Sequence, residues 1–298
     1  MNPQVSIIIA TYRRKDELKR AVLSVANQTY DNIEIIVVDD NDDIEWNDIV
    51  TDIINESSHQ TGKNIKLIQN HPNQGSAKTR NVGISNANGE YVAFLDDDDI
   101  YLPDRILSQV KEMKSNCADY GITDLTLYNE NNTINEKRKR QYLLTKEANN
   151  LLVCHLKYHL TGTDTLMFRK DYLETIGGFD PIDSGDEYYL MMKAVRSGGY
   201  LCYLPRCDVK AYVHTGECGL SSGEGKIKGE EKLFEYKKEF FSELSKKDQS
   251  YIKMRHYAVL AFAYLRMRKP ASFLMNGIKG FFASPIDCLK IIVGRKML

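Results

Sequence analysis

Two apolar runs in the first hundred residues each end in a cluster of aspartates, and few folds accommodate that pattern. Ile33 to Val38 runs into Asp39-Asp40-Asn41-Asp42-Asp43, and Tyr91 to Leu95 runs into Asp96-Asp97-Asp98-Asp99. Runs this short and this continuously apolar read as strands covered on both faces, as in a parallel sheet. Val5 to Ala10 and Ile65 to Ile68 supply two more. A helix begins near Asp16, with Leu18, Ala21, Val22 and Val25 at helical spacing, and a polar helix covers about 46–57. Asn73-Gln74-Gly75-Ser76 then leads into a third helix through Arg80, Asn81 and Ile84. Strand and helix alternate throughout, which predicts a doubly wound α/β fold. Ligands of such sheets sit beyond the carboxyl ends of the strands, where both acid clusters fall. No GxGxxG follows the first strand, which argues against the usual dinucleotide fold.

Four adjacent carboxylates repel one another and shift their pKa values unless something positive joins them. A hard divalent cation, Mg²⁺ or Mn²⁺, suits oxygen ligands and leaves places for substrate phosphates. The alternative for an acidic run alone is a solvated turn that ends a strand.

The chain has 298 residues, enough for one large α/β domain with an appendage or for two domains. Its net charge of −1 gives no sign of a nucleic-acid partner, but it hides an asymmetry. From Lys226 onward 16 Lys/Arg stand against 7 Asp/Glu, so the tail is basic and the body acidic. A basic tail suits an anionic surface. The 6 cysteines form no CxxC pair and no zinc spacing, as expected of reduced thiols in a cytoplasmic protein. The short apolar run Val5 to Ala10 precedes Arg13-Arg14-Lys15, the reverse of a secretory signal. No uncharged apolar stretch of about 20 residues predicts a transmembrane helix.

In the second half, Leu102-Pro103-Asp104-Arg105 opens a helix, Ile122 to Tyr128 reads as one strand, and Asn129 to Arg140 as a polar loop. Thr163 to Phe168 is another strand. The segment from Ser184 to Ala194 reads as a helix with Asp186 and Glu187 in its first turn. At about 100° per residue Glu187 falls near the centre of the apolar face and Asp186 at its edge. A carboxylate at the buried centre suits a catalytic base, whose pKa burial can tune. Val209 to Val213 ends at His214, either a metal ligand or a packed histidine. Residues 215–225 are rich in Gly and Ser and fit a lid. Beyond Lys228 the chain turns helical, with Phe273, Leu274, Ile278, Phe281 and Phe282 among basic residues. That pattern suits either an interfacial helix pair or a cap packed on the domain or on a dimer partner.

Val5 to Tyr12, Ile35 to Asn41, Asn73-Gln74-Gly75 with Ala77 to Gly83, and Gly89 to Asp98 resemble successive blocks of the family 2 glycosyltransferases. The resemblance spans about residues 4–215 and implies the GT-A fold, a mostly parallel Rossmann-like sheet. It implies a catalytic domain over 1–225, with a nucleotide-binding half (1–100) and an acceptor half (101–225), and a helical basic region over 226–298. It further implies that Thr11, Tyr12 and Asp39 hold the uridine of a UDP-sugar. Asp96-Asp97-Asp98 matches the DxD motif, with Asp96 near the ribose and Asp98 on Mn²⁺ or Mg²⁺. Arg13, Asp40, Arg80 and Asp97 are grouped with them as donor-binding candidates, and His214 as a second metal ligand. Ile176-Gly177-Gly178-Phe179-Asp180 resembles the family's GGFD segment, on the acceptor side of the cleft. The family places Asp as base six residues before a basic residue; counting back from Lys193 reaches Glu187, with Asp186 as its rival.

The activity implied is inverting transfer from a UDP-sugar to a saccharide acceptor in polysaccharide assembly. The basic, aromatic tail suggests an acceptor on a membrane lipid and peripheral contact with the inner face of the cell membrane. A nucleotidyltransferase would need a Gly-rich basic loop after the first strand, where Thr11-Tyr12-Arg13-Arg14 has no Gly. A non-catalytic sugar-nucleotide-binding module would need neither the metal carboxylates nor the base.

Overall fold

The computed structural model describes residues 2–182, 185–213 and 223–295. Strand β1 (Val5–Thr11) lies between β2 (Ile33–Asp39) and β4 (Tyr91–Asp96) and runs parallel to both. Val5, Ile7, Ile8 and Ile9 are all buried, so both faces of β1 are covered. Each such side chain contributes roughly 1.5–3 kcal/mol by leaving water. The sheet continues past β2 to β3 (Ile65–Gln69). Past β4 it continues to β9 (Leu166–Arg169), β6 (Tyr120–Thr123) and β10 (Leu201–Leu204), with β9 antiparallel to both neighbours. The order is therefore β3-β2-β1-β4-β9-β6-β10.

The connections are helical. In α1 (Asp16–Ala26) the predicted stripe of Leu18, Ala21, Val22 and Val25 is buried. Helix α2 (Ile44–Thr61) is longer than its pattern predicted at both ends: the Asp43 side chain caps its start by accepting the Trp46 N–H at 2.9 Å, and it runs on to the left-handed Gly62. Helix α3 (Ser76–Ser85) packs on β1 and β2, and α4 (Arg105–Ser115) packs on β6 and β10.

The predicted strand over 122–128 is in fact two strands in different sheets, β6 and β7 (Leu125–Asn129). Asp124 breaks it. Its buried carboxylate accepts the Arg140 N–H at 2.8 Å and the Tyr203 hydroxyl at 2.9 Å, which turns the chain. The polar stretch read as a loop contains β8 (Ile134–Arg138), antiparallel to β7. Arg140, expected in solvent, is buried and donates to the carbonyls of Thr123 and Thr161. With β5 (Ile100–Tyr101) and β11 (Val209–Val213) these strands form a second sheet, β5-β11-β7-β8.

The chain forms two compact units, Met1–Lys146 with Leu160–Val213 and Glu147–His159 with His214–Leu298. The first also holds the short α6 (Lys170–Thr175) and α7 (Asp186–Arg196). The second is helical: α5 (Leu151–Tyr158), α8 (Gly223–Lys238), α9 (Lys246–Arg266), α10 (Pro270–Ala283) and α11 (Pro285–Arg295). The sequence pattern gave no sign of α5. Within that unit the buried Glu230 carboxylate lies 3.1 Å from His256, on which the Phe234 ring stacks. Among the described residues no helix is long and apolar enough to cross a membrane.

Candidate active site

Register brings the two acid clusters to one end of the sheet. Thr11 pairs with Asp39 on one side of β1, and Ala10 pairs with Asp96 on the other. The Asp39 and Asp96–Asp99 clusters therefore flank a single strand tip.

The turn after β4 reaches back across that tip. The Asp97 carboxylate accepts the Thr11 hydroxyl at 2.8 Å and the Tyr12 N–H at 3.1 Å. Arg14 donates to Asp98 at 3.1 Å. The Arg13 N–H bonds the Asn41 side chain at 3.0 Å, tying the loop after β1 to the loop after β2. The side chains of Tyr12 and Arg13 face solvent, with the guanidinium 5.4 Å from the Tyr12 ring. Burial, and then the charge of Asp98, push the Asp97 carboxyl up to about 7, against the lowering effect of its two hydrogen bonds.

Asp39 and Asp40 are both buried, and their oxygens are occupied. Asp39 accepts from the N–H and side-chain amide of Asn41 and from the Asn47 amide. Asp40 accepts from the N–H groups of Gln74 and Gly75 and from the Asn70 amide, which braces the turn into α3. Asn47 carries no signal in the sequence, since its place on a polar helix points only to exposure.

Arg80 joins the β4 tip to α7. It is buried, and it donates to Asp96 and to Asp186, each at 2.7 Å. Burial alone disfavours its charge, but Asp96 and Asp186 more than offset this and raise its pKa. The GGFD segment lies directly beneath. Gly178 has φ +60°, and a Cβ there would lie 2.6 Å from the Asn81 side chain, which bonds both the N–H and the carbonyl of Phe179. Phe179 is thereby held with its ring 5.4 Å from the Arg80 guanidinium.

The order of the two α7 carboxylates differs from the helical-wheel expectation. Asp186, expected at the edge of the apolar face, is fully buried, whereas Glu187, expected at its centre, is mostly but less completely buried. The ion pair with Arg80 accounts for this, because it draws Asp186 inward at the first turn. Glu187 stands beside it, and burial together with the Asp186 charge push its carboxyl up to about 7.

A further carboxylate, Asp164, is absent from the sequence reading. It lies in the turn Thr163–Thr165 before β9, in a stretch whose apolar flank made all of 163–168 read as strand. Asp164 accepts the Asp96 N–H at 2.7 Å, and Asp99 accepts the Tyr212 N–H at 2.8 Å. One carboxylate oxygen each from Asp96, Asp99 and Asp164 lies within 4.8 Å of the others. Asp164 is pushed up to about 7 by burial and then by Asp96, and Asp99 is raised by burial and then by Asp164. An all-oxygen set whose charges oppose one another fits a hard divalent cation. Asp98 is not one of those three and stands against Arg14. His214 and residues 215–222 of the expected lid lie outside the described residues, and α8 begins at Gly223.

The model of the family Glycosyl transferase family 2 matches residues 6–177, more than half of the chain. An uncharacterized glycosyltransferase of Haemophilus influenzae is 33% identical over 152 residues, which cover 49% of this chain and 58% of that protein. The Escherichia coli UDP-Glc:alpha-D-GlcNAc-diphosphoundecaprenol beta-1,3-glucosyltransferase WfaP is 41% identical over 112 residues, covering 37% of this chain and 41% of WfaP. The chain thus spans less than two thirds of the length of either relative. Among solved structures, Staphylococcus aureus TarS 1–349 in complex with UDP-GlcNAc superposes with a TM-score of 0.60 at 16% identity, covering 94% of this chain and 91% of that one. The mannosyltransferase PcManGT of Pyrobaculum calidifontis, in complex with GDP-Man and Mn²⁺, gives 0.56 at 16% identity, covering 100% and 81%. The fold is the GT-A fold that the sequence resemblance implied, and the chain belongs to glycosyl transferase family 2.

Proposed function

We propose that this chain is an inverting, metal-dependent hexosyltransferase that moves a sugar from a UDP-sugar to a hydroxyl of a lipid-linked saccharide during polysaccharide assembly at the cytoplasmic face of the membrane. One observation carries the reading. The β1 tip, the Asp96–Asp99 turn and the α7 carboxylates are joined through Thr11–Asp97, Arg80–Asp96 and Arg80–Asp186 hydrogen bonds. Those contacts support a reading in which a donor nucleotide, a cation and a base would meet at that one end of the sheet.

In this reading Thr11, Tyr12 and Arg13 receive the nucleoside, with the Asp39 and Asp40 loops behind them. Asp96 faces the ribose, and Asp97 holds the β1 tip beside it through Thr11 and Tyr12. Asp98, beside the Asp96-Asp99-Asp164 cluster and with His214, would hold Mn²⁺ or Mg²⁺. Such a cation offsets the charge that gathers on the departing diphosphate. Glu187 takes the proton from the acceptor hydroxyl, a role suited to a carboxylate that titrates near neutrality. Asp186, held by Arg80, orients the first turn of α7. TarS in complex with UDP-GlcNAc supports the donor class, and the diphosphoundecaprenol-linked sugar in the name of WfaP supports the acceptor class.

The test is UDP release from a panel of UDP-sugars with Mn²⁺. We expect one donor to turn over, faster with a lipid-diphosphate saccharide present. Release from none of them, with GDP-sugars active instead, would overturn the donor assignment.

A further inference from the structure

Helix α10 is amphipathic in the inverted sense. Its face toward α9 carries the buried Asn276 and Gly280, with Phe273 half-buried on the same side. A Cβ on Gly280 would lie 3.5 Å from the Met254 carbonyl oxygen and 3.5 Å from the Tyr257 side chain, so the two helices approach backbone to backbone. The other large apolar residues point the other way. Leu274 is 61% exposed and Phe282 77%, with Ile278 and Phe281 on the same outward stripe at helical spacing. Helix α11 repeats the pattern, with Ile286 at 70% and Leu289 also exposed. Ordinary surface helices bury such residues and expose polar ones, so a helix pair that does the opposite offers its apolar side to something outside the unit.

The charges beside this face select among occupants. Across 266–290 five cations, Arg266, Arg268, Lys269, Lys279 and Lys290, stand against the single acid Asp287, and all five cations are exposed. Lys279 lies 5.7 Å from the Tyr257 ring, Lys269 lies 3.6 Å from Glu224, and Lys290 lies 3.5 Å from Asp287. Exposed Phe, Leu and Ile among Lys and Arg are the composition of a helix that lies in the headgroup region of an anionic bilayer.

We infer that α10 and α11 form an interfacial anchor which seats their apolar face in an anionic lipid surface. The inference deepens the lipid-linked acceptor reading and rests on it for its purpose. Flotation tests the surface and UDP release tests the transfer, so either can fail alone.

The experiment is flotation of the full chain with vesicles of phosphatidylcholine alone or with about one third phosphatidylglycerol. The chain should float with the anionic vesicles, and less as salt rises. The Phe281→Asp/Phe282→Asp variant should bind them roughly tenfold more weakly, with unchanged circular dichroism and unchanged UDP release. Should that variant fail to fold, Lys279→Glu/Lys290→Glu leaves the apolar stripe intact and should still weaken anionic flotation. Equal flotation of wild type and variants, or none at all, overturns the inference. So does a wild-type dimer in sedimentation velocity that the Asp substitutions dissociate while vesicles go unbound, since the face would then join two copies of this chain.

Discussion

Replacing Glu187 by Gln should lower sugar transfer by about two to four orders of magnitude while leaving nucleotide affinity nearly unchanged. The substitution keeps shape and hydrogen-bonding capacity but removes the basic oxygen. A pH profile separates this from a structural effect. A base works only when ionised, and Glu187 is pushed up to about 7, first by burial and then by Asp186. The kcat/KM of the wild type should therefore climb with pH up to about 7 and level off above it. In Glu187→Gln that inflection should disappear from the residual rate. If Glu187→Gln stays active and Asp186→Asn is folded but inert, the base is Asp186.

Arg80→Ala should be among the most damaging single changes to stability. Asp186 is buried, and its main charge partner is the Arg80 guanidinium at 2.7 Å. Removing one member of a buried pair leaves the other uncompensated, which costs about 3–5 kcal/mol. Asp96 faces more solvent and contributes less to that cost. Chemical denaturation should give a midpoint shift of that size, with no change in the slope of the transition. The double variant Arg80→Leu/Asp186→Leu should recover part of the loss, because it removes both charges. Recovery of stability without recovery of activity would identify the pair as the link between the β4 tip and α7. If Arg80→Ala is as stable as wild type, that link is not what holds the site together.

Much of this was legible because parallel strands advertise themselves. β1, β2 and β4 are continuous apolar runs, and a chemical signal at the end of each survives any error of a residue or two in the strand boundary. The juxtaposition of Asp39 with Asp96 follows from β1 lying between β2 and β4 in register. What remained hidden was set by long-range polar contacts. Asp124 splits an apolar stretch into two strands because Arg140 and Tyr203 reach it from elsewhere in the chain. Asp164 stays invisible because its meaning comes from the Asp96 N–H it accepts. Asp186 and Glu187 exchange depth because an ion pair outweighs helical periodicity in a first turn. The outward stripe of α10 is also unreadable in advance, since hydrophobic spacing gives a face but not the direction it points.

Central to the account is one site at the tips of β1 and β4 that takes a nucleotide diphosphate together with a cation. Calorimetric titration of UDP, with Mn²⁺ and then with EDTA, tests it on wild type and Asp98→Ala. Wild type should bind UDP at least about tenfold more tightly with Mn²⁺, and Asp98→Ala should lose that difference while remaining folded. A metal dependence that Asp98→Ala leaves intact would assign the cation to Asp96, Asp99 and Asp164 instead, and UDP binding that is equally tight in EDTA would contradict the shared site.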